Sequence, residues 1–173
     1  MTWNQFFQEG EIAVEIVRKG LAKRGFNVRL PMITQFNTDE DIPIYSQFRQ
    51  RLFWISVKSV NCDLTTLEQV KQYHRRGWMC GEVESKQWLN PPAVIIWYCL
   101  PTSFAWGTIV PQQRLSTKWL IFPQKHGLNL DTRKSKVTNK NRFLYPSYCV
   151  QSQDLISKEE IIAYLHQLVE QNT

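Results

Sequence analysis

Asp41 and Lys58 are the residues whose types and spacing could do chemistry together. Lys58 lies in the apolar run 52–60, L-F-W-I-S-V-K-S-V. Alternation along a strand puts Trp54, Ser56 and Lys58 on one face and Phe53, Ile55 and Val57 on the other. An ammonium in so apolar a strand is costly unless it is paired or snorkels to solvent at the strand end. Asp41, 17 residues earlier, opens a short strand, I-P-I-Y. Phosphodiester hydrolysis needs acids that hold one or two Mg²⁺ ions and a lysine that orients water and steadies charge. Asp39 competes for the same metal role, but Asp41 adjoins the strand. Whether Lys58 is part of such a site or a solvated strand-end lysine stays open on spacing alone.

Other chemistries find little support. The chain has neither G-x-G-x-x-G nor G-x-x-x-x-G-K for phosphates, no G-x-S-x-G elbow and no H-E-x-x-H. Cys62, Cys80, Cys99 and Cys149 lie far apart, with no C-x-x-C and no histidine within four residues of any, so they read as ordinary thiols. The N-terminus shows neither a basic n-region nor an apolar h-region, and no apolar run approaches membrane-span length. The expectation is a cytoplasmic protein without membrane contact. Glu84-Ser85-Lys86 is also an E-x-K, but in polar surroundings that read as a surface turn.

Elements that could position Asp41 and Lys58 follow from periodicity. Residues 2–24 carry apolar side chains at helical spacing, with Gly25 as the cap. Strands are expected at 26–31, 41–45 and 52–60, then a helix over 64–76 closed by Gly77. The run 93–100 is apolar throughout, as in a strand buried on both faces. Further strands are expected at 106–110 and 119–122. Ser157 and Glu160 form a capping box for a final amphipathic helix. A meander of three strands followed by a helical crossover predicts a mixed sheet with helices on both faces. With 173 residues the chain reads as one α/β domain: a core over 1–125, a basic irregular segment over 126–152 and a C-terminal helix over 153–173. Trp54, Trp97 and Trp119 fall in strands and read as core. Trp78, Trp88 and Trp106 fall nearer loops, where base stacking is the alternative.

The net charge of +6 is concentrated. Arg114, Lys118, Lys125, Arg133, Lys134, Lys136, Lys140 and Arg142 face a single acid, Asp131, between residues 112 and 142. Such a field attracts a polyanion and releases its counterions, unless it is simply a solvated loop.

Helix with G-E-I-A, then R-G-F-N-V-R, an aspartate before a hairpin, hydrophobic-x-Lys on the next strand and a helix: this pattern resembles the PD-(D/E)XK nuclease superfamily over residues 3–98. The resemblance implies a restriction-endonuclease-like core with α-β-β-β-α-β order, of the kind found in Holliday junction resolvases. It implies a Mg²⁺- or Mn²⁺-dependent DNA endonuclease, without a small-molecule cofactor and acting as a homodimer. It assigns the motif aspartate to Asp41 and the motif lysine to Lys58. Glu11 matches a first-helix metal ligand. Gln69 and Tyr73 match a Q-x-x-x-Y pattern whose glutamine positions the lysine and the DNA backbone. The sequence departs where the second acid should be, at Ser56. Either Glu68, on the following helix, takes the metal role, or the fold binds DNA or a partner protein without cleaving.

Overall fold

The computed structural model describes residues 3–28, 40–73, 77–112, 120–122, 133–134, 141–142 and 147–173. Expectations for 29–39, 74–76 and the remainder of 113–146, including Trp119, lie outside the described residues.

The chain is α/β. Helix α1 (Trp3–Ala22) buries Ala13 and Leu21, with Val14 and Val17 packed beside them, on one stripe. It ends where Gly25 takes φ +86°, which a side-chain-bearing residue adopts only with strain. Arg18 bonds Glu15 through two 2.7 Å contacts and holds that carboxyl down at about 2.

Strands β1 (Asn27–Val28), β2 (Ile42–Tyr45) and β3 (Arg51–Val60) form an antiparallel meander. Helix α2 (Leu67–Tyr73) opens the crossover out of β3. The chain then forms β4 (Trp78–Glu82) and a 3₁₀ turn over Lys86–Leu89 before β5 (Val94–Cys99) pairs parallel to β3. Strand β6 (Phe104–Ile109) turns back antiparallel to β5. The six-stranded mixed sheet has the order β1-β2-β3-β5-β6-β11, with β11 at Ile156–Ser157. Every residue of β5 is buried, as its unbroken apolar run requires. Helix α3 (Lys158–Gln171) joins α1 on one face, over Ile55, Val57, Val94, Ile96 and Tyr98.

A second sheet covers the opposite face, where only the strand at 119–122 was expected beside a turn and an aperiodic segment. It pairs β4 with β10 (Ser147–Val150) and β10 with β7 (Leu120–Phe122). Cys80, Tyr148 and Val150 pack there with Ile95, Trp97, Trp106 and Val110. The expectation that Trp78 and Trp106 lie near loops is corrected by this layer. Both are buried, their rings meet edge to face at 4.9 Å, and Trp78 Nε1 donates to the Val70 carbonyl at 3.2 Å. Stacking in the core removes them as platforms for bases. Trp88 stays half-buried, edge-on to Tyr148. A third, two-stranded pairing joins β8 (Arg133–Lys134) to β9 (Asn141–Arg142). Glu84 and Lys86 are exposed at the turn after β4, as their polar context predicts. Among the described residues no helix is long and apolar enough to cross a membrane.

The expected capping box forms. Ser157 Oγ accepts from Glu160 N–H at 3.2 Å, and the Glu160 carboxylate accepts from Ser157 N–H at 2.8 Å. The Ser157 amide and hydroxyl hold the Glu160 carboxyl below its ordinary value. Ser157→Ala is expected to destabilise the fold by about 1 kcal/mol, read from urea unfolding. Glu15 and Glu160 are both depressed when folded. Their contributions are therefore present above the ordinary carboxylate range, about pH 4–5, and are lost as the pH falls through the folded values, near 2 for Glu15. The unfolding midpoint of wild type should fall over that window, and Glu15→Gln or Glu160→Gln should flatten the fall.

Candidate active site

The antiparallel register Ile42↔Ile55 sets Asp41 level with Ser56. Asp41 Oδ2 accepts the Val57 N–H at 2.6 Å and the Ser56 hydroxyl at 3.2 Å. Two donors from one strand thus fix the orientation of a carboxylate carried by its neighbour. Glu40, just before it, pairs with Arg51 at the start of β3 and accepts from Asn90 Nδ2 at 3.2 Å, which ties down the approach to β2.

Lys58 follows two residues after Ser56, on the same face of β3 and about 7 Å along the strand. Its register partner on β5 is Trp97, so this face looks toward the second sheet. Lys58 is half-buried and makes no hydrogen bond or ion pair among the described residues. Its charge is felt by Cys80 on β4: burial pushes that thiol far up, and the Lys58 ammonium opposes the rise. Asp41, Ser56 and Lys58 therefore occupy one face of the β2–β3 pair, with no Asp41–Lys58 ion pair closing the space between them.

The remaining acids stand apart. Glu11 is exposed on α1, whose apolar stripe covers the other face of the sheet. Glu68 is exposed in the first turn of α2. Among the described residues no three or more His, Cys, Asp or Glu side chains gather as a metal-holding group, so Glu11, Asp41 and Glu68 do not converge.

Gln69 performs a local task. Its Oε1 accepts from Thr66 N–H at 3.2 Å, Thr65 N–H at 2.8 Å and the Thr65 hydroxyl at 3.0 Å, while its own N–H donates to Thr66 Oγ1 at 3.2 Å. This is a capping box at the start of α2. No hydrogen bond joins Gln69 to Lys58. Tyr73, four residues on, stacks on Trp78 with ring centres 5.8 Å apart.

Of the basic segment, Arg114, Lys118, Lys125, Lys136 and Lys140 lie outside the described residues. Arg133, Lys134 and Arg142 fall in the β8–β9 pairing, with Arg133 at the register position of Arg142.

One pair of chemically capable groups was missed by reading the residues singly. Cys62 Sγ and Cys99 Sγ lie 3.3 Å apart, although 37 positions separate them in sequence. Each follows the same face of a strand toward its C-terminal end, and the parallel β3–β5 pairing joins those ends at Val60↔Cys99. The alternation Lys58, Val60, Cys62 was the available signal, once β3 and β5 were taken as neighbours. No family model matches the chain, and comparisons with curated proteins and with solved structures find no match.

Proposed function

We propose that the chain is a metal-dependent DNA endonuclease with a restriction-endonuclease-like core, centred on Asp41 and Lys58. The observation that carries this reading is the Asp41 carboxylate, pinned by Ser56 and Val57 on the strand that presents an unpaired Lys58 two residues later. The order α1-β1-β2-β3-α2-β4-β5, with β4 diverted to the second sheet and β5 parallel to β3 beside an antiparallel meander, supports the same reading.

The donor set fits a Mg²⁺ or Mn²⁺ ion that keeps most of its waters. Such an ion takes one or two carboxylates and completes its shell with substrate phosphate. Asp41 would hold it as the single carboxylate, with water and substrate phosphate filling the rest of the shell. Bound there, the metal supplies a polarised phosphoryl oxygen and an activated water. Lys58 then acts from the strand. Its ammonium donates to the attacking water or a nonbridging oxygen and stabilises the negative charge that grows in the transition state. Asp41 needs no rearrangement, because two hydrogen bonds already fix it. The basic segment from Arg114 to Arg142 supplies phosphate contacts that position the duplex without reading bases.

A second reading rests on Ser56. It stands where a carboxylate would complete the motif, and its hydroxyl is already spent on Asp41. On this reading the fold binds DNA without cutting.

The test is incubation with plasmid, linear duplex, single-stranded and four-way-junction DNA in Mg²⁺, in Mn²⁺ and in chelator. The endonuclease reading expects cleavage in metal only, abolished by Asp41→Asn with binding retained. Binding that weakens steeply with salt, and no cleavage of any substrate in either metal, would establish the second reading instead.

A further inference from the structure

We propose that Cys62 and Cys99 form a dithiol modification site, which a hydroperoxide converts to an intramolecular disulfide. The geometry is assembled for that bond. The two sulfurs face each other at 3.3 Å, so closure to the 2.05 Å of a disulfide needs a side-chain adjustment of about 1.2 Å and no rearrangement of the strands. The parallel β3–β5 pairing holds the two backbones, with Leu100 N–H donating to the Val60 carbonyl at 3.0 Å. The loops beyond are tied as well: Thr102 Oγ1 donates to the Leu64 carbonyl at 2.6 Å.

Access and reactivity divide between the two thiols. Cys62 is partly exposed and meets the oxidant, although burial and the adjoining Cys99 raise its thiol, whereas Cys99 is fully buried behind it. Burial works against a Cys99 thiolate. Its hydrogen bonding with Thr102 and Cys62 outweighs burial and brings that thiol below its ordinary value. Cys99 Sγ also donates to the Cys62 carbonyl at 2.7 Å, which aims it at the Cys62 segment. The other two thiols lack these properties. Cys80 is buried in the core beneath β4 and Cys149 is buried on β10, so neither meets solvent as Cys62 does.

The chemistry balances in two steps. The Cys62 thiolate attacks one peroxide oxygen, the O–O bond breaks, and the sulfur becomes a sulfenic acid as hydroxide leaves and is protonated to water. The Cys99 thiolate then attacks the Cys62 sulfur. The S–S bond forms, the S–O bond breaks and a second water leaves. Two thiols and one peroxide give one disulfide and two waters.

The experiment treats the full chain with hydrogen peroxide, quenches, and measures intact mass, thiols titrated after denaturation, and tryptic peptides. Cleavage after lysine and arginine puts Cys62 in 59–71, Cys80 in 77–86, Cys99 in 87–114 and Cys149 in 143–158, so each possible pairing gives its own cross-linked mass. The expected result is a loss of two hydrogens, two of the four thiols consumed, and a 59–71/87–114 cross-link that dithiothreitol reverses. The oxidised chain should melt about 5–10 °C higher, since the bond closes a long loop. Cys62→Ala, at the half-exposed position, should keep the fold and lose the cross-link. Cys99→Ser should stop at a sulfenic acid on Cys62 that dimedone captures. Four thiols surviving peroxide, a cross-link that includes Cys80 or Cys149, or oxygen addition to wild type without a cross-link would each overturn the proposal.

Discussion

Lys58→Ala is expected to lower metal-dependent DNA cleavage by about 10²–10³-fold, equivalent to about 3–4 kcal/mol of transition-state stabilisation. The size of the effect follows from the position. Lys58 is half-buried on the inner face of β3, where water screens its charge poorly, and no described partner neutralises it. Folding should tolerate the loss, because no hydrogen bond or ion pair leaves with the side chain. Lys58→Met, which keeps the apolar stem against the second sheet, should unfold at the wild-type midpoint yet cleave no faster than the alanine variant. Lys58→Arg should restore DNA binding but only part of the rate, since a planar fork cannot place its donors as an ammonium does. Single-turnover cleavage with saturating enzyme measures this directly. An unchanged rate for Lys58→Ala and Lys58→Met would remove the lysine from the site.

The second large effect belongs to stability. Gly77→Ala is expected to destabilise the fold by about 3 kcal/mol or more, lowering the melting temperature by about 6–12 °C. Two penalties combine there. Gly77 sits at φ +84°, where a Cβ costs about 1–2 kcal/mol. That Cβ would also stand 2.2 Å from the Val150 carbonyl oxygen, backbone of the strand paired with β4. Neither strand can retreat without loosening the layer that covers Trp97 and Trp106. Gly25 provides the control: its φ is +86°, but nothing lies within 4 Å of the Cβ position. Gly25→Ala should therefore cost only the backbone strain, about 1–2 kcal/mol. Equal losses for the two variants in calorimetry would show that the approach to β10 contributes nothing.

All strands of the six-stranded sheet but β11 were legible because they announce themselves locally. Alternation marks β3, an unbroken apolar run marks β5, and the Ser157–Glu160 pair marks the start of α3. Of the second sheet only β7 was legible, as the strand expected at 119–122. β4 reads W-M-C-G-E, a short stretch with a glycine, and its partner β10 lies some 65 residues away. Long-range pairing leaves no periodic trace, so Trp78 and, at the start of its expected strand, Trp106 read as nearer loops when the second layer in fact buries them. Within the candidate site, Asp41 and Lys58 could be singled out by type and spacing. Gln69 shows how one residue can carry two meanings: it belongs to Gln69-x-x-x-Tyr73 and also to the helix-capping sequence Thr66-x-x-Gln69, and its hydrogen bonds serve the cap. The Cys62–Cys99 contact required knowing which strand ends meet, and side-chain spacing alone does not give that.

The route of the chain between β3 and β5 also sets an order of assembly. β4 leaves the crossover to join the second layer, yet among the described residues its only strand partner is β10, supplied by residues 147–150. The meander and the β3–β5 pair can form from the first hundred residues. The tryptophan cluster beneath β4 cannot close until the last quarter of the chain is present. During synthesis, at roughly 5–20 residues per second, Trp97 and Trp106 should thus stay uncovered for several seconds after their own strands exist. That interval is the period in which the nascent chain is most exposed to aggregation through its indole face.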